Sequence, residues 1–64
     1  MRPIEINGHY YQEADHGRFE ASLISNGEEI ARTEGDAVIW FGGCPREDVE
    51  AWADSFDIER IEER

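Results

Sequence analysis

The thiol of Cys44 and the imidazoles of His9 and His16 are the side chains best suited to nucleophilic or metal chemistry in this chain. Cys44 precedes Pro45-Arg46-Glu47-Asp48, a pattern that starts a helix, and a helix N-terminus favours a thiolate that a histidine can help to generate. Eight acidic residues follow it within the last 20 positions, however, and their field opposes a second negative charge. A small, half-buried or helix-capping cysteine is the expectation. His9 and His16 lie seven positions apart and far from Cys44, which is not zinc-ligand spacing, and no Asp-x-Asp-x-Asp-Gly loop is present for calcium. They are expected at a strand edge and a turn tip, with no metal and no cofactor. Gly42-Gly43 lacks the lysine and the spacing of a phosphate loop and reads as a strand-to-helix bend. Carboxylate pairs are unavoidable among 16 acids, and acid–base work needs a cleft that 64 residues rarely build. No enzyme is expected.

The distribution of charge carries more information. Sixteen Asp and Glu stand against six Arg and no Lys, giving a net charge of −10. Such a chain is repelled by phosphate backbones, so direct nucleic-acid binding is excluded, and its field draws it to basic protein surfaces. Residues 45–64 hold eight acids and three Arg, half of the excess in under a third of the chain. Glu47, Glu50, Asp54 and Asp57 recur at steps of three and four, which sets successive carboxylates about 5–6 Å apart on one helical face. Like charges at that spacing weaken a helix by a few tenths of a kcal/mol per pair. A basic partner offsets this, and a groove lined by Arg would meet the row as it meets phosphates. Glu28, Glu29, Glu34 and Asp36, at the turns between strands, are second candidates. The competing reading is plain solvation, or adaptation to high salt, against which Glu outnumbers Asp eleven to five.

These residues need a scaffold. A chain this short buries only ~60% of its unfolded surface, and its stability is on the order of 3–5 kcal/mol without a staple. One cysteine rules out an internal disulfide. The longest apolar run, Ala37 to Phe41, is far short of the roughly 18 residues of a membrane span, and Met1-Arg2-Pro3 leads into no signal-peptide core. A soluble, cytoplasmic single domain over 1–64 follows as the expectation. Ile4-Glu5-Ile6 alternates at period two, as does Arg18 to Ser25. Asn26-Gly27 favours a type I′ hairpin, which sets Ser25 opposite Glu28, Leu23 opposite Ile30 and Ala21 opposite Arg32. A His16-Gly17 turn would place Tyr10, Gln12 and Ala14 inward, opposite Leu23, Ala21 and Phe19; a three-residue loop would turn Tyr11 inward instead. The first is preferred. After Gly42-Gly43, Val49, Trp52, Ala53 and Phe56 form one apolar helical stripe. Ile58 and Ile61 fall opposite that stripe, so the path changes near Asp54–Asp57, and their spacing favours a short helical tail. The predicted class is α+β: an antiparallel sheet of about four strands, followed by an amphipathic C-terminal helix on one face. Trp52 and Phe56 are expected on Phe19, Leu23, Ile30, Val38 and Trp40. Phe41, Ile39, Tyr11 and Ile24 are candidates for a partner patch on the other face.

In size, acidity and strand-then-helix plan the whole chain resembles the small phage-encoded anti-CRISPR proteins, and more loosely the anti-restriction DNA mimics. These families share almost no motif, so the resemblance is one of general character. It implies a non-catalytic inhibitor in the host bacterial cytoplasm that blocks DNA binding by a CRISPR effector. The acids from Glu47 to Asp57 would be its decoys, followed by Glu28, Glu29, Glu34 and Asp36; major-groove Arg residues that read a PAM show why carboxylates suit this role. The alternative is an antitoxin or immunity protein that caps a basic toxin or nuclease, anchored on Phe41 or Tyr11. A monomer is the favoured state in either case.

Overall fold

The computed structural model describes residues 1–17 and 20–64. Within them one sheet runs in chain order through β1 (Arg2–Ile6), β2 (His9–Gly17), β3 (Glu20–Ser25), β4 (Glu28–Glu34), β5 (Ala37–Trp40) and β6 (Arg60–Glu63). A single helix, α1 (Arg46–Asp54), links β5 to β6. β1 to β5 are antiparallel neighbours, whereas β6 lies parallel to β5. The class is α+β as expected, but the sheet has six strands and is mixed.

The helical tail was replaced by a strand for a local reason. After Asp54 the Asp57 N–H donates to the Asp54 carbonyl and the Ile58 N–H to the Ala53 carbonyl, with Asp57 at φ 59. That is a Schellman stop with an aspartate in the left-handed position where glycine is usual. Asp tolerates this conformation, so no glycine marks the helix end in the sequence. The chain then turns back and Ile61 pairs with Val38, completing a β–α–β crossover. Ile58 and Ile61 pack against the core from this return path.

Both hairpin registers shift through bulges. Asn26 and Gly27 have φ of 52 and 78, as a type I′ turn requires, and Ser25 opposes Glu28 as read from the sequence. Beyond it a bulge sets Leu23 opposite Ala31 and Ser22 opposite Arg32, in place of Ile30 and Ala21. The extra residue lets Ile30 and Ala31 both enter the core. In the β2–β3 hairpin the strand runs through Gly17, which pairs with Glu20, and the register slips at His16. Tyr11 and Glu13 therefore point inward and Tyr10 outward, the reverse of the preferred expectation. The polar ends of Tyr11 and Glu13 find partners inside, which a count of apolar side chains does not register. The expected core position of Phe19 lies outside the described residues.

The core sits between α1 and one face of the sheet. Leu23, Ala31, Val38 and Val49 are fully buried there, with Trp52 and Ala53 beside them. Trp52 meets Phe56 edge-on at 5.2 Å, so the apolar stripe of the helix is the buried one, as its spacing indicates. The opposite, open face carries no helix among the described residues. Its edge strands are guarded by Pro3 on β1 and by the charges of β6, which discourage further strand pairing. No described helix is long and apolar enough to cross a membrane.

Gly43 makes the bend from β5 toward α1 at φ 85, and a Cβ there would stand 2.9 Å from Cγ2 of Ile30. Gly43→Ala combines a disfavoured backbone conformation with a clash against a core side chain. It is expected to cost about 1–3 kcal/mol, readable as a lower urea midpoint with an unchanged slope.

Candidate functional site: an acidic helix face and the notch at its end

Two buried carboxylates fix how α1 presents its outer side. Asp48, at the third position of the helix, has no exposed surface. It reaches over to the β1–β2 hairpin, where its Oδ1 accepts from Asn7 Nδ2 at 2.9 Å. Its Oδ2 lies 2.8 Å from His9 Nδ1 and accepts a short bond from the Tyr11 hydroxyl. Burial by itself pushes this carboxyl up, but the donors from Tyr11, Asn7 and His9 together outweigh it and hold it below the usual aspartate value. The Tyr11 phenol is driven above its ordinary range, first by burial and then by its bond to Asp48.

The second anchor is Glu13 on β2. Its Oε2 accepts from Trp52 Nε1 at 2.8 Å in the core, while Oε1 accepts from Arg2 Nε and Nη2 at 3.0 and 2.8 Å. One carboxylate thus ties the helix centre to the sheet and remains paired with a cation, which offsets the cost of burying it. Neither Asp48 nor Glu13 stood out in the sequence. The only available signal was an acid flanking each apolar position, Asp48 before Val49 and Glu13 two residues after Tyr11.

Held in this way, α1 turns Glu47, Glu50 and Asp54 to solvent along one side. Glu50 accepts from Arg46 Nε at 3.0 Å and is partly neutralised, whereas Glu47 and Asp54 have no basic partner among the described residues. Asp57 leaves this row at the helix stop. It comes instead to the β4–β5 turn, where Asp57 and Asp36 line a notch together with Phe56 and Ile58. Carboxylates beside apolar side chains suit the charged head and the stem of an arginine.

The remaining candidates lie elsewhere. Glu28 flanks the β3–β4 turn, at the opposite end of β4 from Asp36. Glu29 and Glu34 face the open side, where both meet Arg32 at 3.8 and 2.8 Å, and Glu34 also meets Arg64 at 3.5 Å. The structure therefore brings Glu47, Glu50 and Asp54 together, sets Asp36 and Asp57 around one notch, leaves Glu28 at the far end of β4, and turns Glu29 and Glu34 to the open face.

The nucleophile candidates have unsuitable surroundings. Burial pushes the Cys44 thiol up, with the Asp48 charge adding to it, so the thiol holds its proton. On the open face His16 Nε2 lies 3.1 Å from Ser22 Oγ, which donates to Glu29 at 2.6 Å. The acid here binds the serine rather than orienting the histidine, so the order of a nucleophilic triad is not met. Tyr11, one expected partner anchor, is buried under Asp48, and Ile39 is 1% exposed. Phe41 is exposed, with the Arg32 guanidinium 5.4 Å above its ring. Comparison with protein families, curated proteins and solved structures finds no match for this chain.

Proposed function

We propose that this protein is a stoichiometric, non-catalytic inhibitor that occupies a basic DNA-binding surface and competes with DNA for it. A CRISPR effector is the target that the resemblance implies. The observation that carries the reading is the uneven neutralisation of the acids. On the open face Glu29, Glu34 and Glu62 are met by Arg32, Arg60 and Arg64, while Glu47, Asp54, Asp57 and Asp36, on the helix side and at its end, have no basic partner among the described residues. A basic groove is drawn to the unpaired set, and the notch over Phe56 offers one arginine a desolvated seat. The alternative as an antitoxin needs an aromatic anchor, and of its two candidates only Phe41 is accessible.

The test is competition with duplex DNA for a panel of purified, guide-loaded CRISPR effectors. Wild-type protein is expected to displace DNA from at least one of them, less effectively as salt rises, because attraction is screened over ~8 Å at physiological strength. Reversing Glu47, Glu50 and Asp54 to Lys is expected to weaken binding by about two orders of magnitude, on the order of 1 kcal/mol per contact. Glu29→Gln with Glu34→Gln should change it less than about threefold, since those carboxylates are already paired. Full potency in a folded triple variant removes the site assignment, and no displacement anywhere in the panel removes the target class.

A further inference from the structure

The geometry points to the open face of the sheet as a weak self-association surface, occupied by a second copy of this chain. Among the described residues the exposed large hydrophobics are Met1, Tyr10 and Phe41, at 81%, 78% and 38% exposure, and strand register, the Arg32 contact and a shared depression place them on this side. Tyr10 pairs with Glu5, one position out of phase with the inward pair Ile4 and Tyr11. Phe41 lies under Arg32, whose neighbours across the sheet are Ser22 and Ile39. Met1 shares a shallow depression with Pro3, Tyr10 and Ile24.

Charge selects the occupant. A copy at −10 is repelled by the helix side and by both ends of the sheet, where carboxylates have no basic partner among the described residues. On the open face an alternating ladder runs Glu29, Arg32, Glu34, Arg64, Glu62, Arg60, with contacts from 2.8 to 4.0 Å. Three Arg and three Glu cancel, and on this side Glu5 and Glu20 have no basic partner among the described residues. An alternating row is complementary to its own image, as a two-fold interface requires. The dimensions fit a marginal dimer. Extents of 25 × 23 Å outline a face of roughly 570 Å² per copy, or about 1,100 Å² in total, near the lower bound for a specific interface. Stacking in this way leaves the acidic helices outermost on both sides, so the dimer presents its binding face twice.

Sedimentation equilibrium of the full chain, from about 5 µM to about 1 mM, tests this independently of any inhibitory activity. The weight-average mass is expected to rise from 7.4 kDa toward twice that value. Added salt should strengthen the association, since it screens repulsion between two anions, a sign opposite to that expected for binding a basic partner. Tyr10→Glu and Phe41→Glu, each checked by circular dichroism, should weaken the dimer at least about tenfold. A mass that stays at 7.4 kDa throughout overturns the proposal and leaves the face to another protein or to none. Association that both folded variants leave unchanged also overturns it, because the contact then lies elsewhere.

Discussion

Asp48→Ala is expected to leave most of the protein unfolded at 25 °C. The substitution strands the buried Tyr11 hydroxyl, frees Asn7 and His9, and detaches the start of α1 from the β1–β2 hairpin. Removing one partner from a buried charged cluster costs about 3–5 kcal/mol, which equals the whole stability expected of a domain this small. Far-UV circular dichroism and amide chemical-shift dispersion report the outcome; native spectra from Asp48→Ala would show that the cluster contributes little. Acid should act on the same group. The folded carboxyl sits below its unfolded value, so the unfolded chain takes up the proton first. Its contribution is complete above about pH 4 and drains as the pH falls through the folded value. Tyr11 supplies the mirror case, because its phenol is raised in the folded state. That contribution is complete below about pH 10 and drains as the pH climbs beyond it. Tyr11→Phe should therefore flatten the alkaline limb of a stability–pH curve while lowering its plateau by about 1.5–3 kcal/mol.

Trp52→Ala is the second large effect, at about 3–5 kcal/mol. It empties the centre of the core, removes the ring against Phe56, and leaves Glu13 Oε2 without its buried donor. Trp52→Phe separates these contributions. It keeps most of the apolar contact while deleting the indole N–H and two ring carbons, so about 1–2 kcal/mol is expected, followed by urea unfolding with Trp40 as the remaining fluorophore. Near-equal losses in the two variants would assign the effect to the hydrogen bond rather than to packing.

Under the proposed inhibitory function both variants would act through position rather than contact. Asp48 holds the N-terminal turn of α1, and Trp52 with Glu13 holds its centre, so the helix cannot roll on the sheet. Glu47, Glu50 and Asp54 are therefore held as a fixed row, which in the proposed function would leave little ordering to be done on binding.

The sequence by itself determined what depends on neighbours along the chain. The buried stripe of Val49, Trp52, Ala53 and Phe56 follows from helical periodicity, the Asn26-Gly27 turn from the need for two positive φ angles, and the exposure of Glu47, Glu50 and Asp54 from their place opposite that stripe. What it left open depends on partners distant in sequence. Whether Tyr10 or Tyr11 turned inward rested on Asp48, 37 residues beyond Tyr11, accepting a phenol. Whether Glu13 was tolerable inside rested on Trp52, and whether Ile30 or Ala31 opposed Leu23 rested on a bulge that buries both. The tail became a strand because a left-handed aspartate stopped the helix and β5 had an unpaired edge to receive it. The neutralisation of some acids but not others belongs to this second kind. Net charge is a property of composition, whereas which carboxylates meet an arginine is settled only when strands far apart in the chain are laid side by side.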